Sequence, residues 1–333
     1  MNNQSAIITV TQGDFLYIEE WIQYHKKLGI DLMIIGFNGK PENFEKLPKY
    51  DFIRYIDFSI RKDNIIHQEF DRKGKGFSAI ELYKPIYSIS FMCRCLNILL
   101  DYIKYFYPSV KYVFPIDTDE FLTIKNKDYD NINRFLIDNY DESQPSKLIN
   151  MVYMSDNNQI YYEDRPVLER FTEERPIEYY NFHTNINRYF HTKSVINIRH
   201  EDILSNFAII SSPHNISFST DEKFDEDQLV LRHFFTKSLE EYIRKFTFRY
   251  DNDYFFRFQN MMIYIYFRYN ELTEEKLYAW NELCEKYNVH FDIYKQYKPA
   301  PYTFINKMYC KLFNKDYNRI IENYKQLKKH NLI

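Results

Sequence analysis

A chain of 333 residues in which 44 Lys and Arg stand against 47 Asp and Glu has a formal charge of −3, which argues against a general nucleic-acid binder. It is long enough for one large domain or two small ones with ample core, and most of its 32 Tyr and 29 Phe belong in that core, with some rings free to stack on a sugar face. Its cysteines (Cys93, Cys95, Cys284, Cys310) make neither a metal-finger spacing nor a disulfide framework, so reduced thiols are expected.

Residues 5–10 read as a buried strand, and the spacing from Asp14 to Lys27 predicts an amphipathic helix ending near Gly29. Leu32 to Gly36 is a second strand, closed by the turn Asn38-Gly39-Lys40-Pro41, and Phe52 to Phe58 is a third. Strands and helices alternating at this spacing point to a parallel α/β sheet. Residues 61–79 are polar, with Gly74 and Gly76 among basic residues, and are expected to form a mobile loop over a ligand. Ile86 to Tyr107 reads as a long helix that feeds, past Pro108, an apolar strand ending in carboxylates. Residues 147–235 are mixed, with short strands around Lys147 to Met154 and Leu229 to Phe234, and helices dominate from Leu239 onward. The tail beyond Tyr294 is rich in Lys interleaved with apolar residues. It reads either as an ordinary solvated helix face or as a basic amphipathic helix making peripheral contact with anionic lipid. No run has the length of a signal h-region or a membrane span, which favours a cytoplasmic enzyme.

The stretch from Lys111 to Leu122 is the most informative. On an extended backbone Asp117 and Asp119 fall on one side and Thr118 on the other. Two carboxylates so close repel unless a cation or proton neutralises one of them. Mg²⁺ or Mn²⁺ reaches a protein through one or two carboxylates plus substrate phosphates, so a metal bridge to a phosphorylated substrate is the simplest functional reading. A solvated, inert acidic strand end is the bland alternative. A calcium loop of the EF-hand kind fails because Phe121 stands where the next alternate oxygen ligand is needed. An aspartyl phosphatase also places D-x-D after a strand, but normally with a small hydroxyl or β-branched residue at the position of Phe121. The nucleotide-sugar site of a glycosyltransferase fits best.

Three blocks in order carry a family resemblance. They are Ile7 to Val10 followed by Tyr17 to Asp31 (with Glu20-Trp21-Ile22-Gln23-Tyr24-His25), then Ile116 to Leu122, then Leu231 to Tyr242 (with His233 and Thr236-Lys237-Ser238). A weaker match is Leu168-Glu169-Arg170-Phe171. Together the blocks are similar to the glycosyltransferases of GT-A fold grouped as family 92 and their family 2-like relatives. The chain departs from that pattern at Gln12-Gly13-Asp14 and at Phe37-Asn38-Gly39, positions near the donor.

The resemblance implies a GT-A, Rossmann-like α/β fold with a helical C-terminal extension: a catalytic domain over 1–238, with a nucleotide-sugar half (1–125) and an acceptor half (126–238), then the extension over 239–333. It implies Mn²⁺ or Mg²⁺ held by Asp119 as the direct ligand, by Asp117, which could instead contact the metal through water or bind the ribose, and by His233, whose alternative is a core histidine beside Phe234 and Phe235. Thr9, Asn38, Asp117 and Lys237 would line the nucleotide-sugar site, Lys237 being equally readable as a surface lysine. Inversion at the anomeric carbon would need a general base. Glu169, Asp156 and Glu120 are candidates, although Glu169 could instead pair with Arg170. His214 is a further possible site residue, and Glu20 and Trp21 are expected to brace the first strand. The expected function is transfer of a sugar from a nucleotide donor, UDP-linked, to a glycan or lipid-linked acceptor in surface polysaccharide synthesis. The alternatives are a metal-dependent phosphatase or other phosphoryl-transfer enzyme, and a catalytically inactive glycan-binding relative.

Overall fold

The computed structural model describes residues 4–12, 15–59, 89–174, 192–206, 209–212, 215–217, 222–249 and 274–287. The loop expected over 61–79, His214 and the basic tail beyond Tyr294 lie outside the described residues. The chain divides into two units, one comprising Met1–Tyr153 and Tyr189–Phe235, the other Met154–Arg188 and Thr236–Ile333. Residues 154–188, expected in the acceptor half of the first domain, thus group with the C-terminal residues.

The described strands are β1 (Gln4–Thr11), β2 (Leu32–Phe37), β3 (Ile53–Asp57), β4 (Val110–Pro115), β5 (Glu120–Ile124), β6 (Ser146–Tyr153), β7 (Thr192–Asn197), β8 (Ile210–Ser212), β9 (Asn215–Ile216) and β10 (Leu229–His233). The described helices are α1 (Ile18–Lys27), α2 (Ile89–Phe106), α3 (Ile132–Asn139), α4 (Val167–Arg170), α5 (Glu201–Leu204), α6 (Leu239–Arg249) and α7 (Glu274–Lys286). None of them is long and apolar enough to cross a membrane.

In the first unit eight strands form one sheet in the order β3-β2-β1-β4-β7-β6-β10-β5. The β3-β2-β1-β4 half is parallel, as the strand–helix alternation predicts, and β2 is buried along its whole length, as a strand covered on both faces must be. The other half is not purely parallel: β7 runs antiparallel between β4 and β6, and β5 runs antiparallel to β10. The fold is a mixed α/β sheet whose parallel half is Rossmann-like. Helix α2 lays Leu96, Leu99, Leu100 and Ile103 on one face of this sheet, against Ala6, Ile8, Ile34, Val113 and Ile196. Its buried Asn97 is satisfied by donating to the carbonyls of Cys93 and Ile210 and accepting from the Ile210 N–H.

Helix α1 begins later than expected, and its buried residues Ile18, Trp21, Ile22 and His25 make a single stripe. It ends at Gly29, whose φ of 101° is the left-handed conformation that closes helices. The stripe does more than fill core. Strand β5 lies at the edge of the sheet and would leave backbone groups without partners. Side chains of α1 take them instead. The Trp21 indole donates to the Glu120 carbonyl at 2.8 Å, the Tyr24 hydroxyl donates to the Leu122 carbonyl at 2.9 Å, and the Leu122 N–H donates to His25 Nε2 at 3.1 Å. Trp21 therefore braces the strand of the acidic motif, not the first strand as the sequence suggested.

The second unit has its own polar frame. Ser238 and Glu241 form a capping box at the start of α6: the Glu241 N–H donates to Ser238 Oγ, and the Ser238 N–H donates to Glu241 Oε2. Arg170 of α4 grips the same Glu241 through both carboxylate oxygens, at 2.8 and 3.0 Å. The Glu-Arg-Phe block and the Ser-Leu-Glu-Glu block thus meet each other, and Arg170 pairs with Glu241 and not with Glu169.

The His25 hydrogen bonds fix its protonation state. Nδ1 lies 2.8 Å from the Trp21 carbonyl and must carry the hydrogen, which leaves Nε2 as the acceptor for Leu122. Burial lowers the pKa of this imidazole from 6.5 to about 3, with the Trp21 carbonyl opposing only in part. Stability from the neutral ring is complete above pH 6.5 and is lost as pH falls toward about 3. Wild type is therefore expected to lose about 2 kcal/mol more than His25→Gln between about pH 7 and about pH 5, read by urea unfolding. Parallel pH profiles would show that the ring accepts a proton without opening this contact.

Candidate active site

The acidic motif leaves the sheet at the C-terminal end of β4, where open α/β sheets bind ligands. β1 and β4 are parallel with Ile8 opposite Pro115, and the Ile116 N–H donates to the Ile8 carbonyl. Thr9 on β1 therefore lies level with the start of the motif. The motif is not extended, as the alternation argument assumed. Its backbone turns through Thr118 and Asp119, closed by the Glu120 N–H donating to the Asp117 carbonyl at 3.0 Å. The turn separates the two aspartates and gives each a different partner.

Asp117 faces Lys193. The lysine stands at the start of β7, whose antiparallel register against β4 (Val113 opposite Ile196) brings its N-terminal end to the exit of β4. Lys193 is 1% exposed, with its ammonium 3.0 Å from Asp117 Oδ2 and 3.3 Å from Glu120 Oε2. Glu120 Oε2 also accepts the Asp117 N–H at 2.7 Å. Burial alone would lower the Lys193 pKa, but the carboxylates of Asp117 and Glu120 outweigh it and hold the ammonium charged. Glu120 moves the other way: burial pushes its pKa up, Lys193 opposes, and Asp117 and Asp119 add to the rise. Lys193 is thus shared by two carboxylates, those of Asp117 and Glu120. Glu120 Oε1 is buried with no hydrogen-bond partner among the described residues.

Asp119 faces His233. The antiparallel ladder sets His233 opposite Glu120, and the Phe234 N–H donates to the Asp119 carbonyl at 2.8 Å. His233 Nδ1 lies 3.0 Å from the Met151 sulfur. A thioether only accepts, so this contact places the hydrogen on Nδ1 and turns the Nε2 lone pair toward Asp119. Nε2 and Asp119 Oδ1 stand 3.6 Å apart, too far for a hydrogen bond. A carboxylate oxygen and an imidazole lone pair face each other there, which suits a small cation bound about 2.1 to 2.2 Å from each. Among the described residues no group of three His, Cys, Asp or Glu side chains could hold a metal. The protein supplies this pair.

The expected nucleotide-sugar residues Thr9 and Asn38 lie on the same C-terminal edge of the sheet. Thr9 Oγ1, Gln12 Nε2 and Asn38 Oδ1 are all buried without a hydrogen-bond partner among the described residues. The Asn38 N–H donates to the Thr11 carbonyl, and the backbone of Gly39 packs so closely on Gln12 that a Cβ there would lie 2.4 Å from its carbonyl oxygen. Three unsatisfied polar atoms at the ends of two adjacent parallel strands are costly unless a ligand or water meets them.

The remaining candidates belong to the second unit. Asp156 is fully buried, accepts the Asn158 N–H at 3.0 Å and lies 4.0 Å from the Lys276 ammonium. Glu169 is exposed on α4. Lys237 is buried with a φ of 58°, unusual for a residue with a side chain, in the link leading to the capping box. Lys193 is the residue that sequence reasoning missed. A lysine inside the run Thr192-Lys193-Ser194-Val195-Ile196 was the available signal.

No family model matches the chain, and no curated protein matches it. Among solved structures it is similar to the crystal structure of mouse xyloside xylosyltransferase 1 in its apo form, with 10% identity and a TM-score of 0.25 over 64% of this chain and 70% of that one. A TM-score this low carries no argument about fold or function. The family resemblance rests on the residues of the three blocks alone.

The two acidic roles are separable by stability. Glu120→Ala removes a buried partner of Lys193 and the acceptor of the Asp117 N–H, and is expected to cost about 3 kcal/mol or more. Asp119→Asn leaves the contacts of Lys193 with Asp117 and Glu120 in place, and is expected to change stability by no more than about 1 kcal/mol. Urea unfolding of the two variants measures both, and equal losses would contradict the division.

Proposed function

We propose that the protein is a metal-dependent glycosyltransferase that moves a sugar from a UDP-linked donor to a glycan or lipid-linked acceptor with inversion, in surface polysaccharide synthesis. The observation that carries this reading is the facing pair of Asp119 and His233 at the C-terminal edge of β4. Mg²⁺ and Mn²⁺ are commonly held by one or two protein ligands with the remaining positions taken by substrate phosphates and water. A two-residue protein set beside an acidic cluster therefore fits a cation delivered with, or completed by, a diphosphate. When bound, such a cation supplies electrostatic stabilisation of the charge that develops on the departing nucleoside diphosphate.

The chain's own residues do the rest. The unpartnered side chains of Thr9, Gln12 and Asn38 offer a hydroxyl, an amide donor and an amide acceptor to the base or ribose. Glu120 holds the turn, because its carboxylate is buried and committed to Lys193 and the Asp117 N–H, which leaves it poorly placed to reach an acceptor hydroxyl.

One observation favours the phosphoryl-transfer alternative: Asp117, two residues past the end of β4, is held against a lysine, as a carboxylate nucleophile could be. The polar atoms of Thr9, Gln12 and Asn38 weigh against it, since a simple phosphate ester has no use for them.

Thermal melting with UDP, GDP and CDP, each with and without Mn²⁺, tests the proposal. A ligand at about a hundred times its dissociation constant adds roughly 2.7 kcal/mol, which raises the melting temperature of a chain this size by several degrees. A Mn²⁺-dependent shift with UDP that Asp119→Ala abolishes is the expected result. No shift with any nucleotide would overturn it.

A further inference from the structure

We infer that the second unit carries a binding surface for a neutral glycan, built from the exposed rings of Tyr161 and Tyr278 with the carboxylates of Glu275 and Glu282. It is made of residues other than those of the acidic motif, and it goes beyond the sugar-transfer reading.

Helix α7 shows two stripes. Lys276, Ala279, Trp280 and Leu283 are buried, whereas Glu275, Tyr278 and Glu282 recur at helical spacing and are exposed, Tyr278 by 74%. A second ring comes to the exposed stripe from the loop before α4. Tyr161 is 49% exposed, and its hydroxyl donates to Glu282 Oε2 at 3.3 Å. Burial and then the charge of Glu282 push the pKa of this hydroxyl up, with Glu240 and Glu275 adding to the rise, so it stands among the carboxylates of the stripe.

The loop presents Tyr161 from a fixed backbone. Glu240 holds the residues on either side: its N–H donates to the Ile160 carbonyl at 2.8 Å, and its Oε2 accepts the Tyr162 N–H at 2.7 Å. Its other carboxylate oxygen accepts from the Lys286 ammonium and the Tyr287 hydroxyl. Upstream, Asn157 and Asn158 have φ of 47° and 57°, a conformation uncommon in residues with side chains. The Asn158 N–H donates to the buried Asp156, and the buried Lys276 donates to Asn158 Oδ1 at 2.8 Å. Buried charges thus fix a turn whose product is a half-exposed aromatic ring, which is how a binding surface is made ready for its ligand.

The chemistry of the surface selects the ligand. Its edge offers acceptors, the carboxylates of Glu275 and Glu282. In the same loop Asn157 Oδ1 and Gln159 Oε1 are buried without a hydrogen-bond partner among the described residues. A sugar chain is complementary: its C–H faces cover aromatic rings and its hydroxyls donate around the edge. The negative charge disfavours phosphate, uronate and nucleic acid. A cationic peptide would be drawn by the carboxylates alone, and would leave the fixed presentation of the rings without a purpose.

The test is saturation-transfer-difference NMR of the full-length chain with neutral oligosaccharides of glucose, galactose, mannose, xylose and N-acetylglucosamine. Polygalacturonate serves as the anionic probe and deca-lysine as the cationic one. At least one neutral oligosaccharide is expected to bind, with an affinity that salt leaves unchanged. Tyr161→Ala and Tyr278→Ala are each expected to weaken it roughly fivefold or more, whereas Tyr278→Phe, which keeps the ring, binds as the wild type does. Both positions are exposed, so the variants should melt with the wild type. Binding of deca-lysine in place of every sugar, lost as salt rises, would overturn the glycan assignment in favour of a cationic partner. Failure of every neutral oligosaccharide to bind would overturn it outright, as would sugar binding that survives both alanine variants. The UDP and Mn²⁺ melting experiment keeps the two readings apart. A nucleotide shift preserved in both alanine variants is the expected result, and absence of that shift in the wild type would remove the donor site while leaving the glycan surface standing.

Discussion

Among the described residues strand β5 has a sheet partner on one side only, and the other side is met by side chains of α1. Trp21, Tyr24 and His25 each meet a backbone group of Glu120 or Leu122, so a helix surface takes the place of a missing strand. The position of the acidic turn depends on this closure. Glu120 is at once the first residue of the closed strand, the acceptor that shapes the turn through the Asp117 N–H, and a partner of Lys193. The first and second blocks of the sequence resemblance are thus two sides of one contact. The third supplies β10, which fixes the other side of β5 and carries His233.

The electrostatics of the cluster follow from its being buried and yet divided. Glu120 and Lys193 are almost without exposure, so their charges interact under low dielectric and set the turn firmly. Asp117, whose side chain is 36% exposed, stands at the boundary. Asp119 and His233 stand apart from this lysine-bound part, 3.6 Å from each other. A site built this way keeps its geometry when its ligand departs, because the lysine continues to neutralise the inner carboxylates.

Much of the first half of the fold was legible in the sequence, because its signals are local. β1, β2 and α2 fall within a few residues of where apolar runs and helical periodicity place them. The blocks also placed Asp119 and His233 in one site, and the fold brings them within 3.6 Å of each other. What was not legible is non-local. β7 reads as a polar run, and it is a fully buried strand only because β4 and β6 flank it. Lys193 was missed for the same reason, since nothing near it in sequence announces its carboxylate partners. The two aspartates were expected on one side because alternation assumes an unbroken strand, and a turn of two residues defeats that assumption. The capping box at Ser238 and the grip of Arg170 on Glu241 show that parts of the resembling blocks are there for folding.

The order of the strands has a consequence for the making of the protein. β5 is synthesised early, yet its sheet partner among the described residues, β10, comes more than a hundred residues later, and Lys193 arrives between them. Until residue 193 is made the carboxylates of the turn lack their ammonium, and until β10 is made β5 is held by α1. Pairings of such long sequence separation form slowly. A nascent chain stalled before residue 193 would therefore present an acidic, half-paired edge to its surroundings, and α1 is the element that keeps this edge from pairing with another chain in the meantime.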